Sequence, residues 1–86
     1  MGTRVAVIRI IVEKKDSVEH LNSILHDYSE YIIGRMGIPY RQRKINIISI
    51  ALDAPQNIIS TLSGKIGKLE GVSAKTAFSG VISNDG

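Results

Sequence analysis

The sequence predicts an α+β sandwich: a four-stranded antiparallel sheet with two helices on one face. Three observations predict it. The stretches Val5–Val12 and Ile45–Leu52 are short, apolar and rich in β-branched residues, the signature of buried strands. Two other segments, starting near Asp16 and Asp53, carry apolar residues at helical spacing. Glycine and proline punctuate the boundaries, at Gly34, Gly37, Pro39, Pro55 and Gly71.

Arg4 to Glu13 reads as the first strand, with both faces mostly apolar, as a central strand requires. Lys14 and Lys15 connect it to Asp16-Ser-Val-Glu19, which has the form of a capping box led by Asp. In the helix that follows, Val18, Leu21, Ile24, Leu25 and Tyr28 fall in one stripe about 120° wide, with Glu19, Ser23, Asp27 and Glu30 opposite. Residues 32–38 predict a second strand. Pro39 should not lie inside a central strand, so Pro39 to Lys44 is expected to turn. Ile45 to Leu52 returns as the third strand. Asp53-Ala-Pro55 opens the second helix, since Pro is favoured in a first turn. Ile58, Ile59, Leu62, Ile66 and Leu69 share one face of it. Gly71 is expected to end that helix, Val72 to Ile82 to form the last strand, and Ser83 to Gly86 to fray.

The resulting order, β-α-β-β-α-β, is the ferredoxin-like arrangement. Right-handed crossovers place its strands 4-1-3-2 and leave one sheet face open. Residues 1–86 are expected to form this single domain. A chain so short has a thin core, and it has no cysteine with which to staple it. Yet 43% of its residues are hydrophobic. That excess of apolar surface predicts a homodimer or homotetramer. No stretch approaches the roughly 20 apolar residues of a membrane span, and no secretory pattern is present, so a cytoplasmic location is expected.

Eleven Lys and Arg against eight Asp and Glu give a net charge of +3. This permits contact with anions or nucleic acid without requiring it. The dense basic run is Arg41-Gln-Arg-Lys44, at the expected hairpin tip.

The stretch Thr61-Leu-Ser-Gly-Lys-Ile-Gly-Lys-Leu-Glu-Gly-Val72 invites comparison with a phosphate-binding loop. That motif reads GxxxxGK[ST] between a strand and a helix, where backbone amides converge on phosphate. Here Ile59 stands where the first Gly belongs, and Ile66 and Leu69 stand where Ser or Thr should follow the lysines. The glycines fall in the middle and at the end of a helix, where carbonyls are free. Ser60, Ser63, Gly64 and Gly67 instead form a stripe of small residues. It would suit close approach of another backbone. The plainer reading makes Gly67 a C-cap and packs Gly64 beside the first helix.

His20 and His26, six apart on the first helix, lie about 120° apart around its axis and cannot share a metal ion. His26 and Glu30 have the i, i+4 spacing of a weak site, but solvent-facing histidines are expected and no metal or cofactor is assigned. No nucleophile has a visible base, so an enzyme is not expected.

If Ile8, Ile10 and Val12 face the helices, then Val5, Val7, Arg9 and Ile11 face outward. The same parity puts Ile33, Arg35, Ser49 and Lys75 outward. One β-bulge would flip part of this assignment. RNA-binding sheets stack bases on exposed aromatics, and the central strands carry none. An apolar face with a few cations fits a subunit interface better.

Two stretches, Tyr31-Ile-Ile-Gly-Arg-Met-Gly-Ile-Pro-Tyr-Arg41 and Leu62-Ser-Gly-Lys-Ile-Gly-Lys-Leu-Glu-Gly-Val-Ser-Ala-Lys-Thr76, resemble the family of iron-only hydrogenase system regulators. The similarity runs from about Arg4 to Phe78. It implies an ACT-like variant of the ferredoxin-like fold, a role in transcriptional or system regulation, and no catalytic activity. A more distant likeness is to the C-terminal domain of nickel-responsive repressors. The chain departs from that pattern, lacking Cys, a His-x-His pair and a ribbon-helix-helix segment. ACT-like amino-acid sites favour Gly in the first loop, which here reads Lys14-Lys15-Asp16.

The resulting expectation is an oligomeric sensor or adaptor. Its interface would use Val7, Arg9 and Ile11, and the stripe Ser60, Ser63, Gly64 and Gly67. A small anionic or amino-acid-like ligand would meet Arg35, Arg41, Lys65 and Lys75. A protein or DNA partner is compatible with this. The competing expectation is a nucleic-acid-binding regulator that contacts phosphates through Arg41, Arg43 and Lys44.

Overall fold

The computed structural model describes residues 2–83, apart from the side chains of 81–83. The chain runs β1 (Thr3–Val12), α1 (Ser17–Asp27), a 3-10 turn (Ser29–Tyr31), β2 (Ile32–Tyr40), β3 (Ile45–Ala54), α2 (Gln56–Gly67) and β4 (Val72–Ser83). The sheet order is β2-β3-β1-β4 and every pairing is antiparallel. This is the ferredoxin-like arrangement that the sequence predicts.

Alternation along β1 builds the core. Ala6, Ile8, Ile10 and Val12 are buried, whereas Val5, Arg9 and Ile11 are exposed. β3 adds Ile48, Ile50, Leu52 and Ala54 to the same face. Leu21 and Leu25 from α1, and Ile59, Leu62 and Ile66 from α2, complete the layer between sheet and helices. Each fully buried Leu or Ile contributes about 1.5–3 kcal/mol.

Several boundaries differ from expectation. The capping box does not form: Asp16 is itself in the right-handed helical region and its side chain caps nothing. The first turn is held by backbone bonds, Ser17 N–H to Lys14 O at 3.0 Å and Val18 N–H to Lys15 O at 3.1 Å. Ser17 is buried, and its hydroxyl donates to the Glu70 carbonyl at 2.6 Å. Pro39 lies within β2, paired with Asn46. The prohibition applies to central strands, and β2 is an edge strand. β3 runs two residues further than expected, because Asp53 and Ala54 still pair with Val5 and Arg4. Pro55 is then the N-cap rather than a helical residue, and its carbonyl accepts from Ile58 and Ile59 at 3.0 and 3.2 Å.

α2 stops at Gly67, before Gly71. Leu69 reaches the core from the turn that follows. Gly71, with φ +70°, carries the chain into β4. Ser83 belongs to β4 instead of a loose tail, and 84–86 lie outside the described residues.

Arg4 has a structural role that the sequence does not announce. It donates to Gln56 Oε1 at 3.0 Å and to the Ser79 carbonyl at 3.1 Å, and its guanidinium lies 4.5 Å from the centre of the Phe78 ring. It thereby ties the start of α2 to the place where the β1–β4 register shifts, between the pairs Arg4–Ile82 and Ala6–Phe78.

Candidate functional site

The sheet face away from the helices is assembled by strand alternation. Val7, Arg9 and Ile11 point outward from β1. Their cross-strand neighbours are Ala51, Ser49 and Ile47 on β3, and Ala77, Lys75 and Ser73 on β4. On β2, Met36 stands beside Ser49, Ile38 beside Ile47 and Tyr40 beside Ile45. Met36 is 60% exposed, Ile38 51%, Ile11 41% and Ile47 40%. These side chains therefore form a wetted apolar surface of the kind that marks interaction sites.

At its centre is a concavity of about 380 Å³, open on one side, lined by Arg9, Ile11, Ile47, Ser49, Ser73 and Lys75 among others. Arg9 and Lys75 stand directly opposite one another in the β1–β4 ladder. Like charges in that relation destabilise a sheet. Among the described residues no carboxylate lines the concavity. The ion pair found among the described residues lies elsewhere, between Lys14 and Glu70 at 2.7 Å.

The four residues expected to meet a ligand do not converge. Lys75 lies on the outer face. Arg35 does not, contrary to expectation. The register of β2 shifts between Ile32 and Gly34, leaving Ile33 unpaired and flipping the alternation by one. Arg35 consequently pairs with the core position Ile50 on the helix side, and its guanidinium donates to Asn22 Oδ1 at 3.0 Å. Met36 takes the outward place. Counting back from the hairpin pair Tyr40–Ile45, instead of forward through Gly34, would have found Met36 and Ile38 in the sequence.

Arg41 sits in the β2–β3 turn, exposed like Arg43 and Lys44. With Lys15, Lys44 and Glu13 it borders a second concavity of about 570 Å³. Lys65, on α2, places its Nζ 5.1 Å from the centre of the Tyr28 ring.

The small-residue stripe faces away from α1. Ser60, Ser63 and Gly64 border a shallow groove with Ile59, Thr76 and Phe78, and Ser63 shares a hydroxyl hydrogen bond of 3.1 Å with Thr76. A Cβ added to Gly64 or Gly67 would meet nothing within 4 Å, so neither glycine is required by a neighbour in the monomer. His20 and His26 are exposed. Among the described residues no three His, Asp or Glu side chains are grouped to hold a metal. Among the described residues no helix is long and apolar enough to cross a membrane.

Comparison with known proteins agrees with the resemblance carried by the two stretches above. Residues 4–76 match a family model, TM1266-like, described as "Iron-only hydrogenase system regulator, putative". The structure of the uncharacterized protein TM1266 from Thermotoga maritima superposes with a TM-score of 0.85 at 34% identity, covering 88% of this chain and 96% of that one. A formyltetrahydrofolate deformylase from Pseudomonas putida KT2440 matches with a TM-score of 0.62 at 10% identity, over 85% of this chain and 28% of that one, a likeness of fold alone. Curated proteins gave no match.

Proposed function

This chain belongs to the family of iron-only hydrogenase system regulators, and we propose that it acts as a non-catalytic module that assembles through its outer sheet face. The observation that carries this reading is the row of exposed apolar side chains on that face: Val5, Ile11, Met36, Ile38 and Ile47. The concavity supports a binding role over a catalytic one. Among the described residues its polar groups are Arg9, Lys75, Ser49 and Ser73, with no His, Asp or Glu beside the hydroxyls to act as a base. In this reading the module senses or adapts, and a small anionic ligand is held between subunits.

The test is the mass in solution, measured by light scattering at low and high salt. The expected result is a dimer or tetramer that persists at high salt, because apolar contacts are not screened. Ile11→Glu places a charge in the centre of the face and should reduce the assembly to folded monomers. A variant that keeps the parent's mass would remove this face as the interface.

A second reading rests on the exposure of Arg41, Arg43 and Lys44 at the β2–β3 turn. There they would contact the phosphates of nucleic acid. Such binding would weaken steeply as salt rises, and the same salt series, run with a DNA duplex present, separates the two readings.

A further inference from the structure

We infer that the Arg9–Lys75 concavity is the floor of a binding site for a small organic anion with an aliphatic body, and that a second copy of the chain forms its roof. The inference rests on the face-to-face assembly proposed above and names what that assembly would enclose.

The two cations are held at neighbouring positions by the β1–β4 register. They lack a carboxylate partner among the described residues. The concavity, about 380 Å³, falls within the range of about 300–1,000 Å³ typical of small-molecule sites. Being open on one side, it is incomplete in a single copy. Closing a second apolar face over it would withdraw Arg9 and Lys75 from water, and buried charge persists only when paired. Asp53, which also faces outward, pairs with Val5 some way along the strand and does not line the concavity. A bound anion would supply the missing negative charge.

The lining also selects the rest of that ligand. Ile11 and Ile47 supply branched aliphatic walls and none of the described lining residues is aromatic, so a saturated chain fits where a stacked base would find no platform. The Arg9 guanidinium presents a planar fork suited to a carboxylate or a phosphate alike. The Ser49 and Ser73 hydroxyls flank the cations and can donate to the same head group. Ligand and second copy would each complete the site for the other, so anion binding and dimerisation would be thermodynamically linked.

The experiment measures the dimer dissociation constant of the full chain by analytical ultracentrifugation, titrated separately with hexanoate, hexyl phosphate, hexanol and inorganic phosphate. Hexanoate or hexyl phosphate should tighten the dimer by about tenfold or more. Hexanol lacks the charge and inorganic phosphate lacks the aliphatic body, and neither should match this. The stronger of the two acids identifies the head group. The double variant Arg9→Gln with Lys75→Gln should dimerise without any anion and lose the response. A dimer indifferent to all four probes overturns the inference while leaving the assembly intact. So does one tightened equally by inorganic phosphate and hexyl phosphate. A chain that remains monomeric with every probe overturns both.

Discussion

Gly71 lies so close to Lys14 that a Cβ built on it would stand 2.5 Å from the Lys14 Cβ and 3.0 Å from the Lys14 nitrogen. Its carbonyl meanwhile accepts the Glu13 N–H at 2.7 Å. The end of β1 and the entry to β4 are thus fastened at a point where only glycine fits, both for space and for its φ of +70°.

Gly71→Ala should therefore cost roughly 2–4 kcal/mol, combining left-handed strain with a clash against backbone that cannot swing away. Urea denaturation of the variant beside the parent measures it. A loss below 1 kcal/mol would show that Lys14 shifts freely.

Gly64→Ala makes the opposite case. Nothing lies within 4 Å of the added methyl, and an interior helical glycine costs about 0.5–1 kcal/mol relative to alanine. The monomer should gain about that much. If the small-residue stripe also docks a neighbouring helix, the same variant will weaken the assembly, so stability and mass should be read together.

Lys44 closes the β2–β3 turn with φ +55°, a left-handed conformation that costs a non-glycine residue about 1 kcal/mol or more. Lys44→Gly should stabilise the fold slightly, by up to about 1 kcal/mol, and raise the melting midpoint accordingly. It also removes a cation from the proposed phosphate contacts, so a nucleic-acid role predicts weaker DNA binding from a protein no less stable.

Ser17→Ala removes the buried hydroxyl that donates to the Glu70 carbonyl and leaves that carbonyl short of a partner. A loss of about 1–2 kcal/mol is expected in thermal unfolding. Ser17→Thr keeps the donor and should recover part of it.

The Lys14 ammonium is held above its ordinary value of 10.5, chiefly by its hydrogen bond to Glu70. A raised pKa means that the folded chain binds this proton more tightly than the unfolded chain does. The contribution of the pair is therefore fully present at neutral pH and is lost as pH rises past 10.5 through the folded value. NMR titration of the Lys14 side chain should show the raised midpoint, and Glu70→Gln should lower it.

Much of the fold could be read from residue spacing, because burial in this chain follows simple periodicity. Ile8, Ile10 and Val12 alternate with Arg9 and Ile11, and that alternation by itself locates the sheet's inner face. Arg35 shows where the method fails. A single unpaired residue at Ile33 reverses every side chain after it, and local propensity carries no record of a register shift. Ser17 shows a second limit. Its partner, Glu70, is distant in sequence, so a local capping motif was the available reading, and a long-range bond replaced it. The outward cations fared unevenly for the same reason. Arg9 and Lys75 sit in regular pairing and were placed on the correct face, whereas Arg35 lies beyond the register shift and turns to the helix side.

β2 joins the sheet along one edge only, and beyond β3 its side chains reach the rest of the molecule through half-buried Ile32 and the Arg35–Asn22 hydrogen bond. Apart from half-buried Ile32, its residues are exposed on both faces, so detaching it from β3 uncovers little new apolar surface. Its opening is opposed mainly by backbone hydrogen bonds, while β3, β1 and β4 keep the helices and the core. In hydrogen exchange the amides of Met36, Gly37, Ile38 and Tyr40 should behave as a separate, weakly protected unit. The protein then has two levels of cooperativity: a core that unfolds as a whole, and a border strand that leaves and returns without it.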